Sequence, residues 1–319
     1  MKIGFIFPGQ GTQTVGMGKD LYKQYEEVRN VYKRVDDALG LSVEDITYNI
    51  PQEELNETKN TQISIFTMSM AIVEILKQKG IKAIAAAGLS LGEYSALAYG
   101  NTFSLEDGAK LVRKRGELMQ ALVPEGKWAM AAVIGMKDEE VEKVCDTVFE
   151  KGGFVKAVNY NCPGQVAISG EKTAVEEAMK LAKAEGARKV VSLKTSGPFH
   201  TEKLNKASEE LGKELKTMAL QFPNIAVIKN LDGKSYQKED NIQEILAKHI
   251  VNPVKFTKSI ETMLEQGIDT FIEIGPGKVL AGFVKKVCKE KGIEAKIMGI
   301  ENVETLENTL KELKINREG

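Results

Sequence analysis

Gly88-Leu89-Ser90-Leu91-Gly92 is a Gly-x-Ser-x-Gly motif. It stands where a run of small apolar residues, 84–87, gives way to an amphipathic pattern at Leu91, Tyr94, Ser95, Leu97 and Ala98. A strand, a sharp turn and a helix in that order put a serine hydroxyl at the tip of a nucleophile elbow. Glycines on both sides let the strand and helix pass close to the serine. The N–H groups that open the helix have no partners within it and can hold a developing oxyanion. The same pentapeptide also fits a plain turn whose serine caps a helix. Serine is a weak nucleophile until a base takes its proton. The chain has only two histidines, His200 and His249, so an imidazole base must be one of them. His200 follows Gly197-Pro198-Phe199 and precedes a charged helical segment, which suits either a surface position at a helix start or the base. A third candidate is Arg115. Leu111, Val112, Leu118, Met119 and Leu122 form the apolar face of a helix over 105–122, and Arg115 falls inside that face. Arg113, Lys114 and Glu117 fall outside it. An inward arginine is costly unless paired. It implies an ion pair with a buried carboxylate, a snorkelling stem, or a guanidinium waiting for an anionic substrate.

Several elements must position these groups. Residues 3–7 read as a first strand running into the loop Pro8-Gly9-Gln10-Gly11. A nucleotide-binding reading of that loop fails, because Thr14 replaces the last glycine of G-x-G-x-x-G and Gln13 the first glycine of a P-loop. The loop still offers backbone donors beside a strand end. After a helix-like segment over 21–39 and a polar connector over 53–60, Thr61-Gln62 opens a helix over 63–79 closed by Gly80. Its apolar residues fall all round, so it is expected to be buried. Residues 81–87 read as a strand buried on both faces and leading to the elbow. Residues 129–193 then read strand, helix, strand, strand, helix, strand, which is the ferredoxin-like order. Linker-like chemistry flanks that unit at 124–126 and 195–198. Strands at 225–230, 270–274 and 295–300 alternate with helices at 202–216, 242–250, 256–266, 279–289 and 304–313. The expected architecture is an α/β core with a parallel sheet, formed by 1–124 and 195–319, with a ferredoxin-like α+β subdomain inserted at 125–194.

Composition narrows the function classes. The chain has 319 residues, 42% of them hydrophobic and 28% charged, as in an ordinary globular protein. A formal net charge of -1 argues against a nucleic-acid binder. No apolar stretch approaches the roughly 18–20 residues that span a bilayer. The N-terminus is too short in its apolar part for a signal peptide. Three well-separated cysteines, Cys145, Cys162 and Cys288, suggest free thiols in a cytoplasmic protein. No Cys/His cluster has metal-ligand spacing.

Seven motifs, taken in order, resemble the malonyl-CoA:acyl carrier protein transacylases. They are 7–13 (Phe-Pro-Gly-Gln-Gly-Thr-Gln), the elbow through Glu93-Tyr94, Arg113-Lys114-Arg115-Gly116, 161–165 (Asn-Cys-Pro-Gly-Gln), Phe199-His200, Asn252-Pro253 and 273–277 (Glu-Ile-Gly-Pro-Gly). The resemblance spans essentially the whole chain and implies an α/β hydrolase-like core with a parallel sheet beside the ferredoxin-like insert. It implies a Ser90 nucleophile, a His200 base and an Arg115 clamp for the malonyl carboxylate. It also implies an oxyanion hole from the backbone N–H groups of Gln10 and Leu91. Met119, Phe199 and Asn161 join the substrate-binding set, and the Phe199 ring would crowd an α-methyl branch. The position four before Pro253, whose backbone carbonyl orients the base in the family, is His249, where glutamine is frequent. Leu89 and Ile63 are further departures, standing where many members have His and Pro. The implied reaction is a ping-pong transfer from malonyl-CoA to the phosphopantetheine thiol of acyl carrier protein, in fatty acid synthesis, without metal or cofactor. The chain is expected to act as a cytoplasmic monomer. An acidic carrier calls for a basic surface, for which Lys180, Lys183, Arg188, Lys189, Lys285, Lys286 and Lys289 are candidates. A serine hydrolase, a polyketide-pathway acyltransferase for another acyl group and a non-catalytic carrier-binding module are the alternatives.

Overall fold

The computed structural model describes residues 1–121, 126–194 and 197–313. In chain order, strand β1 (Ile3–Phe7) is followed by helices α1 (Lys19–Gln24), α2 (Glu26–Leu39), α3 (Val43–Tyr48), α4 (Gln52–Leu55) and α5 (Thr58–Gln78). Strand β2 (Ala85–Gly88) leads to α6 (Leu91–Tyr99) and α7 (Leu105–Ala121). Next come β3 (Trp128–Ile134), α8 (Asp138–Glu150), β4 (Val155–Cys162), β5 (Gln165–Glu171), α9 (Lys172–Ala184) and β6 (Lys189–Ser192). A 3-10 turn (Glu202–Leu204) and α10 (Asn205–Thr217) precede β7 (Ala226–Val227), α11 (Ile242–His249) and α12 (Phe256–Glu265). The described chain ends with β8 (Thr270–Ile274), α13 (Val279–Lys291), β9 (Lys296–Ile300) and α14 (Val303–Glu312).

Two sheets result. The first has five strands in the order β7-β2-β1-β8-β9, all neighbours parallel. The second is antiparallel, in the order β4-β5-β3-β6. With α8 and α9, it forms the ferredoxin-like unit expected from the element order. One face of this sheet carries its own apolar cluster, including Ala131, Val133, Val144, Val148, Val166 and Ile168. Met130, Val158 and Ala167, from its other face, join the large core cluster of the parallel-sheet unit. Alternate residues along β3 thus serve two different cores, as a period of two requires. The expected boundaries at 124/125 and 194/195 touch 122–125 and 195–196, outside the described residues; Leu122 of the expected helix face lies there too.

The strand expected over 81–87 begins only at Ala85. Helix α5 ends in a Schellman motif: Gly80 has φ +72°, its N–H bonds the Lys77 carbonyl, and the Ile81 N–H bonds the Leu76 carbonyl. Ile81 is committed to the helix end, and Ile84 is half exposed. The expected polar connector over 53–60 is largely helical, because Leu55 bonds back to Pro51 and Thr61 to Glu57. Helix α5 is buried nearly all round, as its composition predicts. Burying each of its Ile, Phe and Leu side chains contributes roughly 1.5–3 kcal/mol.

Candidate active site

Ser90 sits between β2 and α6 with φ +53° and ψ -104°. A non-glycine residue held there stores strain of about 1–3 kcal/mol. Gly88 and Gly92 make the turn possible. A Cβ on Gly88 would overlap the Gly92 backbone, and one on Gly92 would overlap the Phe7 carbonyl at the end of β1. The serine therefore stands at the carboxyl ends of two neighbouring parallel strands, where open α/β sheets place their ligands.

The Ser90 hydroxyl meets both sequence candidates. Its Oγ lies 2.8 Å from His200 Nε2. Arg115 Nη2 donates to the same oxygen at 3.1 Å. His200 also has positive φ, +60°, and its backbone N–H donates to the Ile250 carbonyl. The ring's Nδ1 faces two carbonyls, His249 at 3.0 Å and Asn252 at 3.1 Å. Carbonyls only accept, so Nδ1 carries the proton and Nε2 turns its lone pair toward Ser90. Burial, and secondly the Arg115 charge, lower the imidazole pKa to about 4, against the opposing pull of the two carbonyls. The base is neutral at neutral pH.

Arg115 is fully buried. Burial lowers its pKa, although the neighbouring Tyr94 and Glu93 oppose the effect. Its guanidinium carbon lies 5.0 Å from the Tyr94 ring centroid. Its Nε and Nη1 have no partner. A buried guanidinium with two idle nitrogens has a cost that an anionic ligand would relieve. Of the three readings of the inward arginine, this geometry favours the last. The ion-pair reading fails because no salt bridge to Arg115 is present among the described residues, and the snorkelling stem fails because the side chain does not reach solvent.

Gln10, Leu91, Met119, Phe199 and Leu89 line the cleft with these three residues. Leu91 is the first residue of α6, and Gln10 comes from the loop after β1. Asn161 is not among the residues lining the cleft; Asn159 is. Strand β4 shifts register between Ala157 and Asn159 and again between Tyr160 and Cys162, so simple alternation does not say which residue faces the site. Sequence reasoning also missed Gln62, Met130 and Leu193, which line the cleft. Gln62 Nε2 contacts Met119 Sδ at 3.6 Å while its Oε1 has no partner. The sequence carries little signal for it, because Gln62 is one of several buried polar residues in α5.

His249 supplies the expected carbonyl, and its side chain is fully buried, its ring centroid 5.4 Å from that of His200. Glu93 is fully buried as well, and burial raises its carboxyl to about 7 despite hydrogen bonds from Tyr236 Oη and the Asn230 N–H. Among the described residues no group of three or more His, Cys, Asp or Glu side chains could hold a metal ion, and no helix is long and apolar enough to cross a membrane.

A serine hydroxyl against the lone pair of a neutral imidazole, with a buried guanidinium on the same oxygen, is an arrangement suited to acyl transfer. Residues 4–316 match the family model described as the acyl transferase domain. The malonyl CoA-acyl carrier protein transacylase of Bacillus subtilis is 41% identical over 98% of this chain and 98% of its own. A crystal structure of the malonyl CoA-acyl carrier protein transacylase of Clostridium perfringens superposes with a TM-score of 0.93 at 44% identity, covering 98% of each chain. A malonyl-transacylase solved in complex with a type II PKS acyl-carrier protein superposes at 0.92 with 35% identity, covering 98% of this chain and 100% of its own. With the Ser90–His200 pair and the buried Arg115 at the ends of its parallel strands, the chain belongs to the malonyl-CoA:acyl carrier protein transacylase family.

Proposed function

We propose that this chain transfers a malonyl group from malonyl-CoA to the phosphopantetheine thiol of acyl carrier protein, supplying fatty acid synthesis. The observation that carries the reading is Arg115, fully buried, bonded to the Ser90 hydroxyl and left with two unpartnered nitrogens. In this reading the malonyl carboxylate takes the guanidinium N–H groups that Ser90 leaves free. His200 Nε2 takes the Ser90 proton as Oγ attacks the thioester carbonyl. The Gln10 and Leu91 N–H groups hold the oxyanion, each worth about 3 kcal/mol in such sites. The C–S bond breaks, coenzyme A leaves with the proton from His200, and a malonyl-Ser90 ester remains. The carrier thiol then gives its proton to His200 and attacks the ester; the acyl C–O bond breaks, and Ser90 Oγ takes the proton back from His200. Met119 and Phe199 border the acyl group, Phe199 on the side that would meet an α-branch. We assign the core to 1–124 with 195–319 and the insert to 125–194.

The carrier is acidic in this reading, and lysines line two open grooves that could receive it. Lys180, Lys183 and Lys189 lie in one on the insert, and Lys285 and Lys289 in the other beside β9. The relative solved with an acyl-carrier protein supports that partner class. One chain supplies every group used, so a monomer suffices, and three buried free cysteines suit a reducing cytoplasm. Intact-mass measurement after mixing with malonyl-CoA tests the reaction. The expected result is one malonyl adduct on the wild type and none on Ser90→Ala. An adduct that survives in Ser90→Ala, or free malonate formed without malonyl-carrier protein, would sink the proposal.

A further inference from the structure

Asn230 lies behind the nucleophile, fully buried, in the segment after β7. Its Oδ1 accepts from the Ser90 N–H at 2.8 Å, and its Nδ2 donates to the Gly88 carbonyl at 2.7 Å. These contacts bracket Leu89 and hold both sides of the strained turn. They also fix which way the amide points, since the Ser90 N–H needs an acceptor and the Gly88 carbonyl a donor. Asn230 Oδ1 lies 3.1 Å from His249 Nε2 as well. An amide oxygen only accepts, so His249 carries its proton on Nε2. Its Nδ1 is then a buried acceptor without a partner, consistent with a ring kept neutral by burial, and secondly by the neighbouring His200 and Arg115. The Asn230 backbone is held at both ends: its N–H donates to Glu93 Oε2 at 2.9 Å and its carbonyl accepts from the Lys255 N–H at 2.7 Å. Glu93 Oε1 in turn accepts from Tyr236 Oη at 2.5 Å.

The His249 backbone carbonyl orients the base, while its side chain reaches the amide that holds the nucleophile turn. We infer that Asn230, acting through the His249 side chain, is a positioning residue that sets Ser90 and His200 relative to each other. Neither side chain touches the acyl group in this scheme. The inference rests on the acyl-transfer reading and specifies how its reacting pair is aligned. A buried network whose members are nearly all satisfied holds one geometry, and a misplacement of about 1 Å at a reacting pair can cost on the order of 100-fold in rate.

The test is the single-turnover rate of malonyl-Ser90 formation, followed by quenched flow and intact mass, in Asn230→Leu, His249→Leu and His249→Gln. Leucine at 249 keeps the backbone carbonyl and removes the bond to Asn230; glutamine can restore a donor to it. Expected are acylation rates about 10- to 100-fold lower in both leucine variants. The malonyl-CoA KM should stay within about two-fold of wild type, and His249→Gln should return to within a few-fold of the wild-type rate. If Asn230→Leu does not fold, the His249 pair alone decides. Wild-type acylation rates in the leucine variants, or a glutamine variant as slow as the leucine one, overturn the inference while leaving the transfer reaction intact. Absence of any adduct on wild-type Ser90 overturns both.

Discussion

A histidine lowered to about 4 by burial and by a neighbouring guanidinium is a base that stays unprotonated across the neutral range. The sign matters for the pH profile. Lowering the value extends base activity toward acid, so kcat/KM for acyl transfer should be flat from neutrality down toward pH 4 and fall below it. Replacing Arg115 with alanine removes the second of the two lowering influences, so the acid limb should move to higher pH. With acetyl-CoA as donor, which needs no carboxylate clamp, the shift can be read directly; a limb that stays put or moves to lower pH would count against the electrostatic account. The same variant should lose malonyl transfer by about 30-fold or more, because removing one partner of a buried hydrogen-bonded charge pair costs roughly 2–5 kcal/mol. Acetyl transfer should fall only several-fold. Equal losses would remove the carboxylate role from Arg115.

The elbow depends on two elements crossing without side chains between them. Strand β2 and helix α6 meet at Gly88 and Gly92, and the end of β1 presses on Gly92 from the other side. A methyl group at Gly88 has nowhere to go but into the Gly92 backbone. Gly88→Ala should destabilise the fold by roughly 3 kcal/mol, measured as a lowered urea midpoint with unchanged m-value. A stability close to wild type would mean the crossing is looser than described. These glycines were legible in the sequence because the motif names them and the strand and helix patterns flank them. The short extent of β2 was not legible. Ile81 looks like a strand residue by hydrophobicity, and the helix end claims it through a backbone hydrogen bond that composition does not encode.

Across the whole molecule, the insert is fastened to the core by backbone as well as side chains. The Val254 N–H bonds the Val158 carbonyl at 2.8 Å, and the Tyr160 N–H bonds the Val254 carbonyl at 2.9 Å. Lys255 Nζ lies 3.4 Å from the Tyr160 ring centroid. The same short stretch carries the Asn252 carbonyl that contacts His200 Nδ1. Val254→Pro deletes the first of these bonds. It should speed amide exchange along β4 and lower acylation with malonyl-CoA and acetyl-CoA alike by about 10-fold. Unchanged exchange together with an unchanged rate would show that the fastening is not needed. The sequence by itself marked the main strands and the long helices, the βαββαβ unit, the elbow, and Ser90, His200 and Arg115 as candidates, whereas the short helices α3 and α4 were not legible in it. Local periodicity, glycine spacing and the scarcity of histidine are properties of neighbouring residues, and seven motifs in order carried the resemblance. Only the tertiary structure decided that Asn159 rather than Asn161 lines the cleft, that Gln62 faces it, and that Asn230 and Glu93 brace the elbow from about 140 positions apart in the chain. Those choices depend on a bulge in β4 and on buried hydrogen bonds between distant segments, and such partners are selected by packing after the chain has folded.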